Sequence, residues 1–255
     1  YHRFRDGSKT ILIGNRGAGK SAIFRMLAEN YKMRGAYVIE LTPEDYSYEM
    51  LSRTLTTEAQ GAWAKHGAYA AAWKYLIYVL AMKKICVDSP GLKNKETKEI
   101  FNYLRDNFKG FQQSPLDILV SHLKRIESIK LGFYEASIKV HELQALYKLE
   151  EIHHLLPHLE NVCRRTPVYV LVDELDRGWD ASEDAQAFVA GLFQAANSIN
   201  EARDGFRVLI SLRQELYYNI PAIYEDAQKV WDLIEVIKWD RASLLHLMAR
   251  RISHS

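Results

Sequence analysis

The sequence has little cysteine and almost no surplus of charge of either sign. Its two cysteines, Cys86 and Cys163, are not spaced like metal ligands. Two thiols among 255 residues favour a reducing, cytoplasmic setting over a secreted, disulfide-bonded one. The formal net charge is +2, so the composition does not favour binding to nucleic acid or to a membrane surface.

No apolar run is long enough to predict a membrane span, and no signal peptide is recognisable. The strongest apolar run, residues 68–82, is shorter than the roughly 20 residues that a bilayer requires, and Lys74 interrupts it. A buried helix is therefore predicted for this segment. The sequence begins at Tyr1 just before an apolar strand and ends after a helix-like run, so both ends indicate a longer parent chain.

The first 42 residues predict a strand, a loop, a helix and a second strand. Residues 9–14 and 36–42 are short apolar runs typical of buried strands. Between them lies a helical pattern that ends near Gly35 and whose apolar residues share one face: Ile23, Phe24, Leu27 and Tyr31. This βαβ order within about 35 residues predicts a parallel sheet with helices on its faces.

Beyond this unit the pattern is first mainly helical and then mixed again. Residues 44–165 predict amphipathic helices, which we interpret as a helical insertion. Further strands are predicted at 168–175, 206–213 and 233–239, with helices at 185–202 and 241–252. The prediction is an α/β fold with a three-layer parallel sheet of about five strands, whose discontinuous core comprises residues 1–43 and 166–255.

Residues 14–21, GNRGAGKS, match the phosphate-binding pattern G-x-x-x-x-G-K-[ST] without a mismatch. Glycines at three positions allow backbone angles closed to other residues, so the amides can form a nest for phosphate oxygens. The next helix points its positive N-terminal end at the same place. Lys20 is predicted to reach the β- and γ-phosphates, and Ser21 to bind Mg²⁺. The predicted nucleotide contacts are Gly14, Asn15, Arg16, Gly17, Ala18, Gly19, Lys20, Ser21 and Ala22.

A second stretch, VYVLVDELDRGWD at 168–180, leads from an uncharged run into four acids. Such clustered carboxylates repel one another and resist burial, so a cation is expected there. We predict that Asp173 holds Mg²⁺, mostly through water because Mg²⁺ loses water reluctantly. Glu174 is then positioned to orient the attacking water and to accept its proton.

Other residues near these motifs have two interpretations each. Asp176 either caps a helix beginning near Ala181 or pairs with Arg177. Arg177 either reaches a neighbouring subunit's nucleotide as an arginine finger or forms a plain salt bridge. Trp179 is expected in the core.

At the end of the 206–213 strand, Ser211 and Arg213 are candidates for sensing the γ-phosphate. For Arg213, a structural ion pair, for example with Glu215, is equally compatible with the sequence.

These segments together resemble a bacterial family of P-loop ATPases with a DELDxGWD second motif, related to the KAP and STAND ATPases of the AAA+-like group. The similar stretches are GNRGAGKSAIF, LTPEDY, VYVLVDELDRGWD and much of residues 211–252, roughly half of the chain. The resemblance implies an ASCE-type core in which the 206–213 strand lies between the two motif strands. It also implies the roles given above for Lys20, Ser21, Asp173 and Glu174. The lid expected after Trp239 is almost absent from this sequence.

We therefore expect a cytoplasmic, Mg²⁺-dependent ATPase that binds ATP and ADP and uses Glu174, Lys20 and Arg213 in catalysis. The lack of a guanine-reading N-K-x-D motif favours ATP, and the Asp-Glu pair favours hydrolysis over a P-loop kinase reaction. The resemblance further implies a homo-oligomer that controls a separate effector protein, in a bacterial antiphage defence system. The alternatives are a non-hydrolysing, ATP-gated scaffold and a DNA-engaged AAA+ ATPase; nucleic acid is a possible partner that the composition does not indicate.

Overall fold

The computed structural model describes residues 2–42, 62–89, 95–108, 117–118, 152–176, 179, 181–202, 204–220, 231–240, 242 and 245. The strands within these residues are β1 (Ile11–Gly14), β2 (Tyr37–Leu41), β3 (Val168–Val172), β4 (Phe206–Arg213) and β5 (Ile234–Ile237). The helices are α1 (His2–Arg5), α2 (Lys20–Met33), α3 (Ala62–Asp88), α4 (Lys95–Asn107), α5 (Leu156–Arg165), α6 (Glu183–Ala202) and α7 (Gln214–Asn219). A 3₁₀ turn, Trp231–Leu233, precedes β5.

The five described strands form one sheet in the order β2-β3-β4-β1-β5, and every pair is parallel. The prediction of an α/β fold with about five parallel strands is confirmed. β4 lies between β1 and β3, with Gly14 beside Arg213 and Val172 beside Ile210. The position that the resemblance implied for the 206–213 strand is therefore confirmed as well.

Side-chain alternation along the strands divides the core into two layers. On β4, Val208 and Ile210 belong to the larger core cluster, which also contains residues of α3, α5 and α6. Leu209, between them, belongs to a smaller cluster on the opposite face with Phe24 and Leu27 of α2. Helices therefore cover both faces of the sheet, as expected for parallel strands with continuous apolar runs.

Helix α3 is buried, as predicted for residues 68–82. Its side chains are buried on several faces, including those of Tyr69, Trp73, Leu76 and Ile77. No helix in the described part of the chain is long and apolar enough to cross a membrane. Although α3 lies within the predicted insertion 44–165, it belongs to the same core cluster as the sheet; the division into core and insertion stays a prediction.

The predicted helix at 241–252, apart from residues 242 and 245, lies outside the described residues. So do Arg177, Asp180 and most of the LTPEDY stretch at 41–46.

Candidate functional site

The loop between β1 and α2 is built around glycines, for two different reasons. Gly17 and Gly19 have φ values of 77° and 93°, in the left-handed region that side-chain-bearing residues rarely adopt. This confirms the predicted backbone role for these two residues. Gly14 ends β1 instead, and the prediction was wrong about its reason: a Cβ there would lie 3.2 Å from the Ile237 carbonyl oxygen and 3.3 Å from Ala18 Cβ. A side chain at position 14 would therefore be tightly packed against β5 and Ala18.

The Lys20 side chain folds back over the loop that precedes it. Its Nζ donates hydrogen bonds to the carbonyl oxygens of Gly14 and Asn15, each at 2.9 Å. Burial lowers the pKa of Lys20, while the carboxylates of Asp176 and Asp173 raise it. The ammonium of the first motif therefore lies within electrostatic reach of two carboxylates of the second.

The remaining predicted contacts around Lys20 differ in exposure. Asn15, Arg16, Gly17 and Ala22 are exposed, Ala18 is buried, and Gly19 and Ser21 are half-buried. Exposed loop residues at the start of a helix leave this surface open to a ligand.

Asp173 follows directly after the last residue of β3. Its backbone N–H donates to the Leu41 carbonyl oxygen at 3.1 Å, which fixes the strand end against β2. The residue is 9% exposed. Because side chains alternate along a strand, Asp173 lies on the same side of the sheet as Leu171, which packs in the α2 layer.

Glu174 has a φ of 59°, in the left-handed region that non-glycine residues seldom occupy. Such strained positions are common at active sites, where the surrounding structure holds them. The side chain is half-buried. The extended backbone of β3 therefore ends at Asp173.

The two motifs lie at the same, carboxyl-terminal edge of the sheet. Neighbouring strands are about 4.8 Å apart, so the ends of β1 and β3, with β4 between them, lie about 10 Å apart. In a parallel sheet all strand ends of one polarity meet at one edge, which is where ligands bind in open α/β sheets. The structure therefore brings together Lys20 and Asp173.

The end of β4 supplies two polar residues between these motifs. Ser211 is 1% exposed, and among the described residues its hydroxyl has no hydrogen-bond partner. Arg213 forms an ion pair with Asp176 through Nη2 and Oδ2, and both side chains are largely buried. The suggested pairing of Arg213 with Glu215 was therefore wrong, since its carboxylate partner comes from the loop after β3.

The helix-capping interpretation of Asp176 was wrong, since its carboxylate pairs with Arg213. Its pairing with Arg177 stays a prediction, because Arg177 lies outside the described residues. The capping residue of α6 is Ser182, whose Oγ accepts a hydrogen bond from Ala185 N at 3.1 Å. Trp179 packs against the larger core cluster, as expected.

Trp239 is a site residue that the sequence patterns did not reveal. Its Nε1 donates a hydrogen bond to the Ala18 carbonyl oxygen at 3.0 Å, although 42% of the residue is exposed. The contact arises because β5 pairs with β1, with Ile237 beside Gly14, so the chain leaving β5 passes the loop. A tryptophan after an apolar strand carries no motif, and only the strand order places it here.

In the described part of the chain, no group of three or more His, Cys, Asp or Glu side chains could hold a metal ion. A cation between Ser21 and Asp173 would therefore need ligands besides protein carboxylates, such as phosphate oxygens and water. This donor set, with few protein ligands, is typical of Mg²⁺ bound with a nucleotide.

Comparisons with known proteins give one distant likeness and no family. No family model matches the chain. It is 24% identical, over 96% of its length, to the Escherichia coli K12 protein named "Putative transposon gamma-delta 80.3 kDa protein", and covers 34% of that protein. The chain thus spans about a third of the length of this relative. No solved structure matches. No family assignment follows from this single distant likeness.

Proposed function

We propose that this chain binds ATP with Mg²⁺ at residues 14–21, hydrolyses it, and uses the nucleotide as a conformational or assembly switch. The observation that carries the proposal is the position of the Lys20 ammonium. It lies within a loop shaped by Gly17 and Gly19 and within electrostatic reach of Asp173. A cation held on a glycine loop, within electrostatic reach of a carboxylate, suits a phosphate with its metal ion.

The strand order supports a P-loop fold of the ASCE type. In that arrangement one strand separates the strand of the glycine loop from the strand of the acidic motif. The order β2-β3-β4-β1-β5 has this property, with β4 as the separating strand. Fold alone does not specify function, so the side chains at the carboxyl edge of the sheet carry the rest of the proposal.

The residues that would bind the triphosphate divide into three roles. The loop amides and the N-terminus of α2 receive the phosphate oxygens, as helix N-termini do. Lys20 contacts the β- and γ-phosphates, and Ser21 and Asp173 hold Mg²⁺. The bound ion neutralises negative charge on the phosphate oxygens.

Glu174 is the proposed general base. It orients a water molecule whose oxygen attacks the γ-phosphorus, and it accepts the proton while the bond from the γ-phosphorus to the bridging oxygen breaks. The left-handed backbone at this position supports a site-specific role, since such strain persists only where neighbouring structure imposes it. Arg213, at the tip of β4, is the proposed sensor of the γ-phosphate.

Two variants test this assignment. Glu174→Gln should keep ATP binding but lower phosphate release by about 10²–10⁴-fold, the usual contribution of a general base. Lys20→Ala should instead weaken ATP binding itself. Steady-state phosphate release and calorimetric ATP titration measure the two effects.

Glu201→Gln is the matched control, because Glu201 is an exposed glutamate in the last turn of α6. It should hydrolyse ATP at the parental rate. Hydrolysis by Glu174→Gln at that same rate would show that another group positions the water. A parental protein that binds ATP but releases no phosphate would favour the scaffold alternative.

The cellular setting is proposed from the family resemblance alone. It is an ATPase that forms homo-oligomers and controls a separate effector protein in bacterial antiphage defence. Mass measurement of the protein with and without ATP·Mg²⁺ tests the assembly step. The same mass with and without ATP·Mg²⁺ would contradict an assembly switch.

A DNA-engaged ATPase is a second candidate, favoured by the word transposon in the name of the similar Escherichia coli protein. Electrostatic DNA binding weakens steeply with salt, with a slope set by the number of phosphates contacted. DNA binding measured between 50 and 200 mM salt, roughly the range over which this effect is large, separates the two candidates. Loss of affinity across this range, together with DNA-stimulated phosphate release, would favour the DNA-engaged enzyme.

A further inference from the structure

The ion pair between Arg213 and Asp176 joins two elements at the carboxyl edge of the sheet. Arg213 ends β4 and lies beside Gly14, the last residue of β1. Asp176 comes from the loop after β3, three residues beyond Asp173. The arginine and aspartate side chains are 27% and 18% exposed, so water screens their attraction only in part.

The same carboxylate also acts on Lys20. The Asp176 carboxylate lies within electrostatic reach of the Lys20 ammonium, as the Arg213 guanidinium also does. One carboxylate therefore pairs with Arg213 and lies within electrostatic reach of Lys20, the two cations to which the proposed function assigns the terminal phosphates. A γ-phosphate is also an anion with several acceptor oxygens, and guanidinium groups bind phosphate and carboxylate with similar geometry.

We propose that Asp176 competes with the γ-phosphate of bound ATP for Arg213, so that the guanidinium exchanges a carboxylate for a phosphate when ATP binds. The inference rests on the proposed function and extends it, because it names a residue that sets the discrimination between ATP and ADP. ADP has no γ-phosphate, so Arg213 keeps Asp176 as its partner when ADP binds. Asp176 therefore weakens ATP binding and leaves ADP binding nearly unchanged.

The sign of the effect separates this role from simple positioning. If Asp176 only oriented Arg213 toward the nucleotide, its removal would weaken ATP binding. As a competitor, it must be displaced, so its removal strengthens ATP binding. The exchange also breaks the ion pair between β4 and the loop after β3, which links the γ-phosphate to the Asp173–Asp176 segment.

The test is the ratio of the ATP and ADP dissociation constants, measured by calorimetry with Mg²⁺ on the whole chain. For Asp176→Asn we expect ATP binding to tighten about three- to tenfold, as for a partly screened ion pair, and ADP binding to change less than about twofold. In an Arg213→Gln background, adding Asp176→Asn should have a far smaller effect on ATP binding, namely the part that acts through Lys20. Arg213→Gln alone should reduce the preference for ATP and spare ADP.

Glu215→Gln is the matched control. Glu215 is exposed and also lies within electrostatic reach of Lys20, but it belongs to the first turn of α7 and is not the ion-pair partner of Arg213. Its removal takes away one negative charge near the same lysine, so it should alter the ATP-to-ADP ratio far less than Asp176→Asn.

Weaker or unchanged ATP binding by Asp176→Asn would overturn the exchange, as would an equal effect of Glu215→Gln. Persistence of the full Asp176→Asn effect without Arg213 would overturn it too. If Asp176→Asn does not fold, the test is the ratio of ATP to ADP dissociation constants in Arg213→Gln. Equal losses of affinity for ATP and ADP in that variant would contradict the proposal. If the parental chain binds ATP and Asp176→Asn has the same ratio of ATP to ADP dissociation constants, only the exchange is refuted. If the parental chain binds no ATP, the proposed function is refuted as well.

Discussion

At the scale of single residues, the contact between Trp239 and Ala18 shows how the glycine loop is held. Ala18 is buried, so its backbone carbonyl needs a hydrogen-bond donor. The Trp239 indole supplies that donor at 3.0 Å. The segment after β5 is thus connected to the loop by a hydrogen bond as well as by strand pairing.

We therefore expect Trp239→Phe to weaken ATP binding about two- to tenfold, the effect of losing one ordinary hydrogen bond. Phenylalanine keeps an aromatic ring but has no N–H. Binding of inorganic triphosphate should weaken by the same factor, because the Trp239 hydrogen bond supports the loop and does not involve the nucleotide base. Calorimetric titration with both ligands measures this.

Trp231→Phe serves as the control, since Trp231 is 59% exposed and lies in the turn before β5. Its affinity for both ligands should stay parental. Loss of ATP affinity with triphosphate affinity intact would show instead that Trp239 contacts the base. Parental affinity for both ligands would show that the loop holds its shape without this bond.

How much of the site could be predicted depends on the sequence distance that each contact spans. The glycines, Lys20 and Ser21 occur within one short pattern, because the loop and helix N-terminus that would receive phosphate are local structures. The Trp239 contact joins residues 221 positions apart, and no local pattern encodes it. The predicted partner of Arg213 was wrong for the same reason. The observed partner, Asp176, lies in the loop that follows another strand, β3.

At the scale of elements, the packing of α3 against α6 depends on a glycine. A Cβ on Gly191 would lie 2.6 Å from Tyr69 Cβ and 2.8 Å from the backbone nitrogen of Ala70. Nearby, Trp73 Nε1 donates to the Phe188 carbonyl oxygen at 3.1 Å, and the two rings are in contact. The helices therefore approach closely enough that backbone meets backbone.

Gly191→Ala should destabilise the fold by about 1–3 kcal/mol, the usual cost of overpacking a core. Alanine favours a helix by about 1 kcal/mol over glycine, but the clash outweighs this gain because its partners are backbone and Cβ atoms that cannot rotate away. Chemical denaturation measures the free energy of unfolding. Gln194→Ala, at an exposed position of α6, should stay within about 0.5 kcal/mol of the parent, and a Gly191→Ala variant as stable as that control would contradict the close contact.

The existence of the strands and of α2 was predictable, since apolar runs and breaker residues are local signals. Their exact bounds were less so: the strands predicted at 9–14 and 233–239 are Ile11–Gly14 and Ile234–Ile237. The place of β4 between β1 and β3 came from the resemblance, because apolar periodicity does not encode which strands pair. The close contact of α3 with α6 was not foreseen, since a lone helical glycine gives no indication of its partner.

At the scale of the whole molecule, parallel strands gather the proposed site from distant parts of the sequence. Lys20 follows β1, Asp173 follows β3 and Arg213 ends β4, and these strands are neighbours in the sheet. These basic and acidic side chains lie close together because the parallel strands all end at the same edge of the sheet. A bound triphosphate would contact groups from three adjacent strands at once, so it should stabilise the sheet as a unit.

ATP·Mg²⁺ should therefore raise the melting temperature of the chain. A ligand at 100 times its dissociation constant that binds only the folded state adds about 2.7 kcal/mol. For a domain of this size that corresponds to a shift of about 5–10 °C. Lys20→Ala should show a much smaller shift at the same ATP concentration, because its affinity is lower. Chelation of Mg²⁺ should reduce the shift of the parent, since Ser21 and Asp173 then contribute less. An equal shift in Lys20→Ala would show that ATP binds elsewhere on the protein. The affinity of a phosphate ligand bound at residues 14–21 should depend on the Lys20 ammonium, which lies on this loop.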